Sequence, residues 1–387
     1  MRQVRWASWT VGLIMALLAV GGVRPVAADM TSDRAAAILE WPSVIYAEES
    51  ILTETGSINT IIQLSNTSTD PVNVHCFYEN ANPHCTNTGE VCYAAEECCG
   101  AAGCGLCLPG WNETDFHVQI TPRQPLGWLA SDGVSGFSTF PPKAFGTFAI
   151  DGVSNFGIGG SSNAGSRIPP VPEEPFLGSL RCIVVDEDGI PVDRNVIKGE
   201  ATWQVNAESG FLTVAKHNAV GIQAIEGAVN DDNVLVLGGE GAEYNGCPNF
   251  LILNHFFDGA EDPVLDNGDQ IATILEMVPC SQDYLRQEPG AAVVQYLVYN
   301  EFEQRFSTSR PMQCKQFSLI SNIDTTQNER SIFSAGVSGT LTGQTRINPI
   351  GSGLIAVAHE LHEGSGLADF NVHFQGDRAN SDYIVLP

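Results

Sequence analysis

The sequence predicts an all-β protein: two tandem β-sandwich modules, the first carrying a small disulfide-rich insertion. Three observations lead there. Apolar residues alternate instead of recurring at helical spacing, blocks of sequence repeat in one order, and eleven cysteines follow an N-terminal segment of secretory type.

The N-terminal segment comes first. Arg2 and Arg5 precede an apolar run from Val11 to Val20, and Arg24-Pro25-Val26-Ala27-Ala28 places small residues where a signal peptidase cuts. Residues 1–28 therefore read as a Sec-type signal peptide, and the expected location is extracellular, cell-surface or periplasmic. The apolar run is far shorter than the roughly 20 residues of a membrane span, so no span is expected. Removing residues 1–28 takes away Arg2, Arg5 and Arg24 and no acid, which carries the formal charge from −27 to −30. A surface this acidic, with only four lysines in the chain, excludes nucleic acid as a partner.

The strands follow. Val72, Val74, Cys76 and Tyr78 share one face of an alternating run, and Leu180, Cys182 and Val184 share another. Asp188-Gly189 supplies turn chemistry after the second run. Helices are expected only as short pieces, Ser32 to Glu40 and Ser281 to Glu288 at most.

Four blocks then repeat in order. Ala37-Ile38-Leu39-Glu40-Trp41-Pro42 matches Thr273-Ile274-Leu275-Glu276-Met277-Val278-Pro279. An apolar run ending at Asn66, ten residues before Cys76, matches one ending at Asn300, fourteen before Cys314. Ser209-Gly210-Phe211-Leu212-Thr213-Val214-Ala215-Lys216 matches Ser352-Gly353-Leu354-Ile355-Ala356-Val357-Ala358-His359, each with a glycine ten or eleven residues before its Gly210 or Gly353. Asp232-Asn233-Val234-Leu235-Val236-Leu237 matches Asp382-Tyr383-Ile384-Val385-Leu386. If the copies share a fold, Leu212 and Val214 point inward as Ile355 and Val357 do. The modules then span 29–238 and 273–387, with 239–272 connecting them. The first holds two surface excursions, a cysteine-rich one at 82–111 and a Gly/Ser/Pro-rich loop at 131–178. This layout resembles the tandem immunoglobulin-like modules of exported bacterial surface proteins, and the resemblance implies a structural or adhesive role.

Six cysteines run Cys85-x6-Cys92-x5-Cys98-Cys99-x4-Cys104-x2-Cys107, within 23 residues. A segment so small has no core of its own and needs covalent bridges. The pattern resembles the framework of inhibitor cystine knots. The six are expected to pair among themselves as a stapled knob. A zinc site, with His84 beside Cys85, is the weaker reading, because only Cys104-x2-Cys107 has ligand spacing. Cys76 and Cys182 are expected to bridge two sheets of the first module. Of Cys247, Cys280 and Cys314, two can pair and one is left over.

Local catalytic motifs give little. His359-Glu360-Leu361-His362-Glu363 places its histidines three apart where a zincin needs four on a helix. On a strand they face opposite ways, and an exposed polar strand is expected. Gly133-Val134-Ser135-Gly136 and Gly336-Val337-Ser338-Gly339 lack the second glycine of a nucleophile elbow. The densest acids, Asp258, Glu261, Asp262, Asp266 and Asp269, are the candidate ligands for calcium, the one candidate cofactor. The sequence thus points to a non-enzymatic exported protein that binds a protein or a surface glycan, or assembles with itself. The competing reading is a secreted hydrolase with a non-local carboxylate site.

Overall fold

The computed structural model describes residues 30–48, 56–92, 95–100, 103–134, 168–207, 212–228, 232–263, 268–363 and 366–387. The expected signal peptide, and most of the 131–178 loop, lie outside them. Strand accounts for 59% of the structure and helix for 4%, which makes the protein all-β.

In chain order, the first half holds β1 (Ile38–Ala47), β2 (Gly56–Asn66) and β3 (Val72–Asn80). The cysteine-rich excursion contributes β4 (His84–Cys85), β5 (Cys99–Gly100), β6 (Gly103–Cys104) and β7 (Cys107–Leu108). Then come β8 (Asn112–Ile120), β9 (Pro125–Leu129), β10 (Phe176–Val185), β11 (Ile197–Ala207), β12 (Leu212–Asn218), β13 (Val220–Ile222) and β14 (Val234–Leu237). The second half holds β15 (Pro248–Phe256), β16 (Ala260–Glu261), β17 (Gln270–Pro279), β18 (Gln282–Asp283), β19 (Ala291–Asn300) and β20 (Arg305–Gln313). It closes with β21 (Gln316–Leu319), β22 (Thr342–Gly351), β23 (Leu354–His362), β24 (Gly366–Asn371), β25 (His373–Asp377) and β26 (Asp382–Val385). Neither expected short helix forms: 32–34 is a bend, and 281–288 is a turn around β18.

One nine-stranded sheet runs β12-β11-β2-β1-β10-β3-β8, with β13 beside β1 and β9 beside β2. It folds over on itself because β1 changes partner, pairing with β13 at Ile38–Glu40 and with β2 at Tyr46–Ala47. The fold-over encloses a core in which Val72, Val74, Cys76 and Tyr78 meet Leu180, Cys182, Val184, Ile62, Leu64 and Trp128. The alternating faces read from the sequence are the faces that pack. In the second half, β20-β19-β22-β15-β25 faces β16-β17-β23-β24 across a core of Leu253, Val294, Tyr296, Val298, Leu275, Met277 and Ala356. β15 lies between β22 and β25, so the segment expected to connect the modules is part of the second one. Its Leu251 and Leu253 supply core that the sheet needs, and a connector would leave them exposed.

The repeated motifs occupy related places. Alternate positions are buried in both strands, Ile58, Thr60, Ile62, Leu64 and Asn66 in β2 and Ala292, Val294, Tyr296, Val298 and Asn300 in β19, the same set counted back from the asparagine. Both asparagines then fold the following turn: Asn66 Oδ1 accepts the Ser68 N–H at 2.8 Å, and Asn300 Oδ1 accepts the Phe302 N–H at 3.0 Å. β11 pairs with β2 as β22 pairs with β19. Gly199 and Gly343, the glycines preceding the third block, are each needed for close approach. A Cβ would meet Trp41 Cζ2 at 2.0 Å in one case and Phe257 Cζ at 2.6 Å in the other.

The third block fails. Val214 is 52% exposed while Val357 is buried, and the Leu212 side chain lies outside the described residues. The pairings explain why: Val357 sits opposite Glu276, but it is Val220, in β13, that sits opposite Glu40. The closing blocks meet, β14 pairing antiparallel with β26.

Candidate functional site

The Ile-Leu-Glu motif builds the junction between the halves. On β1, Leu39 enters the first core and Glu40 points away from it; on β17, Leu275 enters the second core and Glu276 points away. A strand buried on both faces puts every second residue into the junction, and each copy puts a glutamate there. Glu40 accepts Arg181 Nε at 2.6 Å, and that guanidinium also donates to the carbonyls of Cys280 (3.1 Å) and Pro279 (3.0 Å) across the junction. Glu276 accepts the Ser43 hydroxyl at 2.7 Å and forms ion pairs with Lys315 Nζ at 2.5 Å and His359 Nε2 at 2.9 Å. His359 Nδ1 lies 2.7 Å from Asp369 Oδ1, whose other oxygen is 3.4 Å from His217 Nδ1. Trp203 stacks on the His359 ring at 3.9 Å. A third carboxylate, Glu79, accepts Ser179, Gln282 and Tyr284.

Burial pushes the Glu40 carboxyl up to about 8, against the pull of Arg181. Burial would also disfavour charge on His359, but Asp369 and Glu276 outweigh it and lift the imidazole to about 9. Burial acts on Asp369 in the opposite sense to its partners, and His359 with His217 brings it down to about 2. Glu276 is held below the ordinary carboxylate range by Lys315 and His359 despite its burial. An imidazole between two carboxylates has the parts of a proton relay. Yet His359 and Glu276 are 0% exposed, so the relay faces no solvent and no substrate. β23 is a strand, which separates His359 from His362, but the polar strand expected to be exposed is buried at His359 because Glu276 and Asp369 supply its partners. His362 sits at the surface end, between Asp262 Oδ2 (2.5 Å) and Glu360 Oε1 (2.7 Å).

Two of the expected calcium ligands already have partners in the fold. Asp258 is spent on the backbone N–H groups of Thr273 and Ser321, at 2.8 and 2.9 Å, and Asp262 on His362. Glu261 is exposed in β16, Asp269 precedes β17, and Asp266 lies outside the described residues.

Five disulfides form. Cys76 pairs with Cys182 as expected, but the two lie directly opposite on neighbouring strands of one sheet, so the bridge does not join two sheets. Cys247 pairs with Cys280, leaving Cys314 free and buried. The knob pairs Cys85–Cys98, Cys92–Cys107 and Cys99–Cys104, entirely within itself. Cys99 and Cys104 close their own short hairpin and thread through nothing, so this is not the pairing of a cystine knot. With their sulfurs bonded to one another, these cysteines leave no thiolates for zinc. The knob's core is its own cystines. Glu173 ties its base to the body, accepting Asn80 and Asn82 at 2.6 Å and contacting His84 Nε2 at 3.0 Å. Leu106 and Leu108, two residues apart, stand 62% and 47% exposed.

Two of the cavities among the described residues open at the surface. One, of about 550 Å³, lies between the knob base and the second half, lined by Pro83, Pro109, Leu177, Lys315 and Phe317. The other, of about 620 Å³, lies over β15, β19 and β22, lined by Asn254, Tyr299, Glu301, Gln344 and Glu360. A hydrolase would place a carboxyl of raised pKa in such a cleft. The raised carboxyls Glu40, Glu113 and Asp258 line neither, and Glu301 is shifted down by hydrogen bonds from Thr342.

Midway along β3 and β8, His75 and His117 stand directly opposite, rings stacked at 3.9 Å, with Asp115 Oδ2 3.0 Å from His75 Nε2. Sequence reasoning missed this cluster and the junction network alike, since both depend on strand register and not on local spacing.

No protein-family model matches the chain, and no curated protein matches its sequence.

Proposed function

We propose that the chain is a non-enzymatic exported protein, secreted, periplasmic or displayed at the cell surface, that binds a protein partner through its cystine-stapled knob. The observation that carries this reading is the pair Leu106 and Leu108, which stand exposed on either side of the disulfide-bonded Cys107 and just after the disulfide-bonded Cys104. Exposed leucines on a fixed loop lose little freedom on binding, so their burial converts efficiently into affinity. Pro109, next in the chain, lines the neighbouring groove, which extends the apolar surface toward Leu177 and Phe317. Disulfides in every part of the chain support an oxidising compartment. The resemblance of the sequence layout to tandem immunoglobulin-like surface modules is in keeping with an adhesive role.

The test is saturable binding of labelled protein to the surface of the cells that make it, measured for the wild type and for Leu106→Ser/Leu108→Ser. Each leucine buried contributes about 1.5–3 kcal/mol, so the double variant should bind at least about tenfold more weakly while melting unchanged. Equal binding by both proteins contradicts the proposal, and so does turnover of ester, peptide or glycoside substrates by the wild type.

A further inference from the structure

We propose that His75, Asp115 and His117 form a binding site for one divalent first-row transition ion, of the Zn2+ or Cu2+ kind. The site is made by register. β3 and β8 pair antiparallel so that His75 faces His117, and Asp115, two residues before His117 on the same strand, shares its face. One ligand atom from each residue lies within 4.8 Å of the other two.

The geometry suits a small ion. Ligand atoms at about 2.0–2.2 Å from a tetrahedral centre stand about 3.3 Å apart. His75 Nε2 and Asp115 Oδ2 are already 3.0 Å apart. The remaining adjustment falls to His117, the exposed member of the stacked pair. His75 is the fixed member, 7% exposed and packed on Phe77 at 4.2 Å. Two imidazoles and one carboxylate match borderline transition ions and not calcium, which takes six to eight oxygens. Three protein ligands leave at least one coordination position to water. β8 is the edge strand of its sheet, so that position opens outward. The chain's acidic charge favours cations throughout.

The test is calorimetric titration of the intact exported protein with Zn2+, with Cu2+ electron paramagnetic resonance as a readout of nitrogen ligation. The expected result is one Zn2+ per chain, unaffected by excess Ca2+. His117→Ala and Asp115→Asn should each weaken binding at least tenfold without shifting the melting temperature, while His362→Ala leaves it intact. Absence of stoichiometric Zn2+ binding overturns the site. So does binding that survives His117→Ala, or that is lost in His362→Ala, which would place the ion at His362.

Discussion

The knob and the body it is tied to are stabilised by opposite means. In the knob, three disulfides fall within 23 residues and the only core is cystine. The body uses two disulfides and buries ionisable groups where its halves meet: Arg181, beside Glu40, reaches across to the carbonyls of Pro279 and Cys280, and Glu276, beside Lys315 and His359, accepts the Ser43 hydroxyl from the other half. A short segment cannot bury enough apolar surface to fold, so covalent bonds restrict its unfolded state. A long one can, and its buried charges then become the vulnerable points, because an unpartnered ion in a low dielectric is very costly. The knob should therefore tolerate change at its surface, and the body should not tolerate change at its junction.

Arg181→Met breaks the body hardest. It leaves Glu40 and the carbonyls of Pro279 and Cys280 without their donor, and the expected loss is about 3–5 kcal/mol, read from the urea midpoint. A variant that keeps wild-type stability would mean that the junction is held by its apolar contacts alone.

Replacing Cys76 and Cys182 by alanine should cost somewhat less, about 2–4 kcal/mol, since that bridge closes a loop of 106 residues and lies within a packed core. The same double replacement at Cys99 and Cys104 should leave the body's transition in place, because that loop spans only five residues of the knob.

Alkali should weaken the junction next. His359 titrates at about 9 in the folded protein against 6.5 unfolded, so its contribution is complete below pH 6.5 and is lost as pH rises through 9. Glu40, raised from 4.5 to about 8, acts in the same direction. Asp369, lowered from 3.8 to about 2, contributes above pH 3.8 and loses its contribution as pH falls through 2. The unfolding free energy, read from urea midpoints against pH, should accordingly fall between pH 7 and 9.5 by an amount on the order of 2 kcal/mol, and His359→Gln should flatten that fall. A flat profile in the wild type would place the charge of His359 elsewhere.

Alternation carried most of the architecture. Val72, Val74, Cys76 and Tyr78 could be assigned to one face because strand period is two, and that face is the core. The block ending at Asn66 and Asn300 was legible for the same reason. Val214 was misread because short runs of small apolar residues resemble one another wherever they fall, and only the pairing of β13 with β1 reveals that Val220 holds the corresponding position. The chemistry was still less legible. His75 and His117 are 42 residues apart and meet only through register, and Glu276 finds Lys315, His359 and Ser43 from three different segments. Even the knob's pairing needed coordinates, since six cysteines allow fifteen connectivities.

The separateness of knob and body is tested most directly by deleting residues 85–107. His84 and Leu108 are directly paired, so the cut ends already stand side by side and can be joined without moving the body. Thermal unfolding of this variant should remain a single cooperative transition within about 3 °C of the wild type, since removing a surface loop costs little chain entropy. Loss of cooperative unfolding would show that the knob is part of the body's core, and would contradict the account of it as an independently stapled recognition element.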